Sequence, residues 1–351
     1  MLVLGIETSC DETSVSVVEK GQRIYSNIVS SSLNFHKRYR GVVPEIASRL
    51  HLETIGIVLA DAIKQAKVKL KDIKLIAVTN QPGLPGSLLV GICFARALSF
   101  AQGIPLAQIN HLHAHLYASF FNKEKPRFPF VGLVVSGGHT SLFYLESFLK
   151  IELLGLTQDD ACGECFDKVA TILGLGYPGG PIIEKLAKRG DPEKIKFRCS
   201  NTQRPLDFSF SGIKTAVLYY VRDMGKGKRV TKSGKRYTGY GKRYTIYGIR
   251  YPLPATRIPD IAASFQEAVI DVLIKKSILA CRLKNTRRLV LGGGVAANNR
   301  LREKFTQEAK VSGLNIYFSP KEFCTDNAAM VAGLGYQMTQ HLFEDKQING
   351  K

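Results

Sequence analysis

Apolar positions along the chain fall into short continuous runs and helically spaced stretches, and most runs end in a cluster of glycine, hydroxyl or acidic residues. Leu2-Val3-Leu4-Gly5-Ile6 reads as a strand, Glu7-Thr8-Ser9-Cys10-Asp11-Glu12-Thr13-Ser14 as a tight polar turn, and Val15-Ser16-Val17-Val18 as a second strand. The pattern returns where Phe130 to Val135 leads into Ser136-Gly137-Gly138-His139-Thr140-Ser141 and then Leu142 to Leu145. Two copies of strand, polar turn and strand predict a duplicated α/β architecture with two similar lobes facing a cleft. Between the copies, Ile55 to Ala66 has helical spacing and Lys74 to Thr79 reads as a strand. A Pro/Gly loop, 80–87, then opens an apolar helix from Leu88 to Ala101. Beyond the second copy, the acidic pair Asp159-Asp160 precedes a helix through Val169, as helix N-termini prefer. Helices follow over Ile182–Lys188 and Ile258–Cys281, and Phe208 to Lys214 reads as a polar turn entering another. Arg288 to Leu291 is a strand running into the glycine turn at 292–294, and a last apolar helix follows Asp326.

The apolar run Ile104 to Ile109 ends in Asn110-His111-Leu112-His113-Ala114-His115-Leu116. In a helix starting here, His111 and His115 lie one above the other and can hold one divalent metal. His113, about 200° around the helix from His111, cannot join them. Asp326 either caps the last helix or completes a His, His, Asp site, and spacing leaves both open. A zinc protease helix needs a Glu directly after the first His, where this chain has Leu112. The turns at 7–14 and 136–138 can present N–H groups and hydroxyls to a phosphate. In the first of them, Asp11 and Glu12 are the candidates for proton transfer.

A length of 351 residues and 45% hydrophobic content suit a globular protein of two lobes. No uninterrupted apolar run approaches the roughly twenty residues of a membrane helix, and the N-terminus has no basic region before an apolar core. The expectation is a cytoplasmic protein without a membrane partner. Seven scattered cysteines, with a lone CxxC at Cys162 and Cys165, suggest neither a disulfide framework nor a tetrahedral zinc site. The formal charge of +20 implies a polyanionic partner. Nine of the basic residues lie between Met224 and Arg250 with no acidic one, around a seven-residue Gly/Lys/Arg/Tyr repeat suited to phosphate contacts and base stacking. A solvated insertion is the alternative.

A series of motifs in one order resembles the tRNA threonylcarbamoyladenosine transferase family, bacterial and organellar branch, once described as a glycoprotease family. It comprises GIETSCDETS (5–14), GVVPEIASRLH (41–51), PGLPGSLLVG (82–91), NHLHAH (110–115), VVSGGHT (134–140), DKVA (167–170), GYPGGP (176–181), FSFSGIKT (208–215), GGGVAANNRLR (292–302) and CTDNAAM (324–330). His113, Gln81 and Pro85 depart from the family's usual residues.

The resemblance implies an α/β, two-lobed actin-like ATPase fold of the hexokinase and sugar-kinase class, with duplicated β-sheet domains facing a cleft. Its first lobe spans 1–128, completed by a helix over 328–345. The second spans 129–327 and carries the insertion at 224–254. It implies metal ligands at His111, His115 and Asp326, holding Fe(2+), or else zinc, and no organic cofactor. Substrate contacts are implied at Val134, Val135, Ser136, Gly137, Gly138, Asp167, Gly180, Glu184 and Asn298. The implied reaction moves a threonylcarbamoyl group from threonylcarbamoyl-AMP to N6 of adenosine 37 in tRNAs reading ANN codons. The implied partners, besides tRNA, are a paralogous bacterial protein and a small P-loop ATPase. The rival readings are an actin-fold carboxylate or sugar kinase, which needs no histidine pair, and a non-catalytic scaffold paralogue, which needs no metal ligands.

Overall fold

In a computed structural model the backbone is described for residues 1–226, 243–246, 249–252 and 255–348, and side chains for 1–224 and 256–340. Most of the basic repeat lies outside these residues; within it, β9 (Arg243–Ile246) and β10 (Ile249–Pro252) pair antiparallel.

Five strands form a first sheet: β1 (Leu2–Glu7), β2 (Glu12–Glu19), β3 (Arg23–Ser31), β4 (Ile73–Gln81) and β5 (Leu106–Asn110), in the order β3-β2-β1-β4-β5. A second uses β6 (Phe130–Val135), β7 (Thr140–Leu145), β8 (Ile151–Leu156), β11 (Arg288–Gly292) and β12 (Asn315–Phe318), in the order β12-β11-β6-β7-β8. The wiring is the same in both. The first strand pairs antiparallel with the second, for example Val3 with Val18 and Leu133 with Leu142, and parallel with the fourth. β1 and β6 are buried almost throughout, which is why they read as continuous apolar runs. The outer strands β3, β8 and β12 have mixed burial and weaker patterns.

The helices are α1 (Leu33–His36), α2 (Pro44–Ala66), α3 (Pro85–Gln102), α4 (His111–Tyr117), α5 (Cys162–Ile172), α6 (Gly179–Ala187), α7 (Ser211–Lys226), α8 (Ile258–Leu283), α9 (Asn299–Ser312) and α10 (Ala328–Ile348). α2 and α3 open on proline, whose fixed φ suits the first helical position. α3 closes on Gly103 in the left-handed region. Among the described residues α3 is also the one helix long and apolar enough to cross a membrane, with mean hydropathy 1.2 over 18 residues. It packs on β4 and α2 and buries Ser87, Leu88, Gly91 and Ala95.

α10 lies across β1, β2 and β4, so the end of the chain covers the first sheet. The contact is close: a Cβ on Gly5 would stand 2.2 Å from the Ala328 carbonyl oxygen, and one on Gly335 would stand 2.6 Å from Ala77 Cβ.

The acidic pair at 159–160 serves elements other than the start of α5. Asp159 accepts from the Ser209 and Ser211 hydroxyls at 2.6 and 2.7 Å and from the Phe210 and Ser211 N–H groups, tying down the entry to α7. Asp160 bridges Lys168 and Lys214. The side chain at the start of α5 is Glu164, which accepts from the Ala161 N–H. Cys162 and Cys165 are buried free thiols, and burial pushes both well above the ordinary thiol range.

Candidate metal centre and substrate cleft

Asn110 ends β5, and its side-chain oxygen accepts from the Leu112 and His113 N–H groups at 2.9 and 3.2 Å. That N-cap turns the chain into α4 at His111 and puts His111 and His115 on one face. Their rings meet edge to face with centroids 4.5 Å apart. His115 Nε2 lies 3.1 Å and His111 Nε2 3.5 Å from the same Asp326 oxygen, Oδ1. One ligand atom from each of the three residues lies within 4.8 Å of the others. His113 points away, its ring edge-on to Phe143. Burial alone drives it down to about 4.

The two readings of Asp326 separate in the structure. The helix-capping role falls to its neighbour: Asn327 Oδ1 accepts from the Met330 N–H at 3.1 Å. Asp326 is thereby left facing both histidines.

Glu7, at the end of β1, is fully buried behind the centre. Its Oε2 lies 3.1 Å from His111 Nδ1 and accepts from the Thr79 hydroxyl at 2.6 Å, while Oε1 accepts from the Ser9 N–H at 2.6 Å. A buried carboxylate on Nδ1 fixes the tautomer that leaves Nε2 free to bind a cation. Sequence reading missed this residue. Burial would lower His111, yet the Asp326 and Glu7 carboxylates outweigh it and hold it up to about 9. Burial would raise Asp326, but His111 and His115 hold it well below the usual carboxylate range. The carboxylates of Asp326 and Glu7 thus favour positive charge at this face of α4. Two imidazoles and one carboxylate converging in this way are a donor set that fits a divalent transition metal.

The acidic turn sits close by. Burial pushes Glu12 up to about 10, helped by the negative charges of Asp326 and Asp11, and its Oε1 accepts from the Ser31 hydroxyl at 3.1 Å. His139, on the second turn, brings its ring centroid to 6.2 Å from that of His111.

Five of the expected substrate contacts, Gly137, Asp167, Gly180, Glu184 and Asn298, line one cavity of about 210 Å³, together with Gly163, Phe166, Pro178 and Gly294. A Cβ placed on Gly137, Gly138, Gly180 or Gly294 would meet nothing within 4 Å, so glycine at these positions keeps space free. Val134 and Val135 end β6 with their side chains fully buried, so any contact from them is through the main chain. Ser136 is buried, and its hydroxyl accepts from the His139 N–H at 3.1 Å, which shapes the turn.

Three of the cavity residues also hold helix starts. Asp167 accepts from the Gly179 N–H at 2.6 Å, the first residue of α6. Glu184 accepts from the Asn299 N–H and side-chain amide at 3.0 and 2.6 Å, and Asn298 caps α9 through the Leu301 N–H while donating to Gln266. The starts of α6 and α9 thus face the cavity with first N–H groups already held by Asp167, Glu184 and Asn298. Burial lifts Asp167 to about 6 against the opposing Gly179 hydrogen bond.

Comparison with known proteins finds relatives over nearly the whole chain. A family profile described as tRNA N6-adenosine threonylcarbamoyltransferase matches residues 23–333. Proteins of that name from Thermodesulfovibrio yellowstonii and Symbiobacterium thermophilum are 49% and 48% identical over 336 and 337 residues. The alignments cover 96% of this chain in each case, and 94% and 91% of the relatives. Among solved structures, the ROK hexokinase of Thermus thermophilus superposes with a TM-score of 0.50 at 14% identity, over 98% of this chain and all of that one. The two-lobed α/β architecture is therefore the actin-like ATPase fold, and the chain is a member of the tRNA N6-adenosine threonylcarbamoyltransferase family.

Proposed function

We propose that this protein transfers the threonylcarbamoyl group of threonylcarbamoyl-AMP to N6 of adenosine 37 in tRNAs reading ANN codons, at a centre held by His111, His115 and Asp326. The observation that carries this reading is the convergence of both Nε2 atoms on Asp326 Oδ1, together with a glycine-lined cavity that includes Gly137. An actin-fold kinase has no use for that triad.

The donor set of two histidines and one carboxylate favours Fe(2+), with zinc the alternative, and no organic cofactor. A bound divalent cation supplies Lewis-acid polarisation of the carbamoyl carbonyl. The chain's own groups do the rest. Gly137 and Gly138 have N–H groups without an acceptor among the described residues, and these hold the phosphate or the developing negative charge. Asp167 and Glu184 offer carboxylates to ribose hydroxyls, and Gly180 and Asn298 line the same wall. Val134, Val135 and Ser136 set the backbone of the turn. The adenosine amine attacks the carbonyl carbon, the bond to the AMP phosphate oxygen breaks, and AMP leaves. Asp11 or Glu12, on the acidic turn beside the centre, takes the proton of the attacking amine.

Partners complete the reading: a paralogous protein and a small P-loop ATPase, with the reaction taking place in the cytoplasm. The test mixes purified protein, threonylcarbamoyl-AMP and unmodified tRNA, with and without those partners, and assays nucleosides by mass spectrometry alongside elemental analysis of the protein. Modified adenosine that disappears, together with the metal, in a His111→Ala/His115→Ala variant is the expected result. Absence of product from metal-loaded protein under every partner combination would overturn it.

A further inference from the structure

Two buried histidines outside the metal centre stand behind the acidic turn. His36 is fully buried at the end of α1. Its Nδ1 accepts from the Val43 N–H at 3.3 Å, so that nitrogen is unprotonated and Nε2 carries the hydrogen. Nε2 lies 3.0 Å from Ser32 Oγ, and the Ser32 hydroxyl donates in turn to the Asp11 carbonyl oxygen at 2.8 Å. The Ser32 N–H reaches the same oxygen at 3.0 Å. The direction of every proton along this line is thereby set.

His51, on α2, is also buried. Its Nε2 lies 3.0 Å from the Cys10 carbonyl oxygen, which can only accept, so Nε2 is again the protonated nitrogen. Nδ1 then accepts from the Thr13 hydroxyl at 2.7 Å. Burial, outweighing the Cys10 carbonyl, keeps this ring low and neutral. Residues 8–11 lie between β1 and β2: the Asp11 carbonyl takes the Ser32 N–H next to the β2–β3 pair Glu12 and Ser31, the Ser9 carbonyl takes the Leu84 N–H, and the Cys10 carbonyl takes its donor from a side chain. At Cys10 the donor is His51 itself; at Asp11 the donors are the hydroxyl and N–H of Ser32, whose hydroxyl His36 holds in place.

We infer that His36 and His51 are positioning residues for threonylcarbamoyl transfer: through the main chain of Cys10 and Asp11 they hold the Asp11 and Glu12 carboxylates in the cleft. This rests on the assignment of Asp11 and Glu12 to the reaction. Neither histidine lines the cavity, so their removal acts on geometry and leaves the substrate's own contacts in place.

The experiment uses the full-length, metal-loaded protein in four variants, His36→Leu, His36→Gln, His51→Leu and His51→Gln. Glutamine keeps a donor near the Nε2 position and leucine removes it. Two readouts are taken after thermal melts confirm folding: the rate at which iodoacetamide labels Cys10, followed by peptide mass spectrometry, and kcat and KM for threonylcarbamoyl-AMP. The leucine variants should label faster at Cys10 and lose roughly ten- to a hundredfold in kcat with little change in KM, as displaced catalytic groups do. The glutamine variants should recover most of both. Leucine variants with the parent's labelling rate and kcat would overturn the proposal. Failure of the underlying assignment gives a different result: Asp11→Asn and Glu12→Gln proteins keep full activity, and the leucine variants label faster without slowing. Inactive Asp11→Asn with fully active histidine variants would refute positioning alone.

Discussion

Replacing Glu7 by Gln changes one buried atom and should uncouple the metal centre from its support. Glu7 Oε1 receives the Ser9 N–H, so the amide oxygen of a glutamine must stay on that side and its NH₂ must take the place of Oε2. There it faces Thr79 Oγ1 and His111 Nδ1, whose one other partner among the described residues is Ser9 Oγ at 3.1 Å, a hydroxyl that can donate as well as accept. Thr79 can reverse its hydroxyl and accept. His111 Nδ1 can accept only by giving up its hydrogen, which moves the proton to Nε2, the atom aimed at Asp326 and the metal position. The variant therefore favours the tautomer that cannot bind. Loss of such a supporting partner costs about 10- to 100-fold in metal affinity, or roughly 1.4–2.8 kcal/mol. A charge-assisted hydrogen bond of about 1.5–3 kcal/mol gives the same scale independently. The assay is competition for zinc or iron(II) between the metal-free protein and a chromophoric chelator. Parent-level affinity in the Glu7→Gln protein, with an unchanged melting profile, would refute the tautomer argument.

Gly5→Ala forces a methyl to within 2.2 Å of the Ala328 carbonyl and should destabilise the fold by about 3 kcal/mol, read as a lower urea midpoint; an unchanged midpoint would show that α10 can shift. Burial opposes ionisation of Asp159, yet the Ser209 and Ser211 hydroxyls and the N–H groups of Phe210 and Ser211 hold it below the usual carboxylate range. Its contribution is thus present above the unfolded value near 3.9 and lost as pH falls through the lower folded value. The parent should be more stable than Asp159→Asn at pH 7 in urea titrations, by a gap that solvent screening keeps small and that closes in acid below about pH 4; a gap independent of pH would contradict this. Deleting residues 226–250 should weaken tRNA binding and flatten its dependence on salt, and an unchanged slope in filter binding would separate the basic repeat from RNA contact.

The parts of the fold legible in the sequence are those with one dominant pattern. β1 and β6 are apolar because they are buried on both faces, and their polar turns revealed the duplication. The outer strands β3, β8 and β12 are half exposed and carry no such signal. At the site, His111 and His115 were legible from helical spacing alone. Asp326 was ambiguous, because an acidic residue before an apolar helix looks like a cap until Asn327 is seen to fill that role. Glu7 ends a strand 104 residues from His111, and no local pattern joins them. Asp167, Glu184 and Asn298 came from the family resemblance, since each also serves a helix start and by itself reads as ordinary capping.

The crossing of α10 over β1, β2 and β4 sets an order of events during synthesis. A chain that has emerged only as far as α9 holds every strand of both sheets except β12, yet lacks the helix that covers Gly5 and Ala77. It also lacks Asp326, which closes the triad from 211 residues beyond His115. The first lobe is thus made first and finished last. Until the final stretch leaves the ribosome, the face of the first sheet that α10 covers is open to chaperones, and His111 and His115 do not yet face the Asp326 carboxylate.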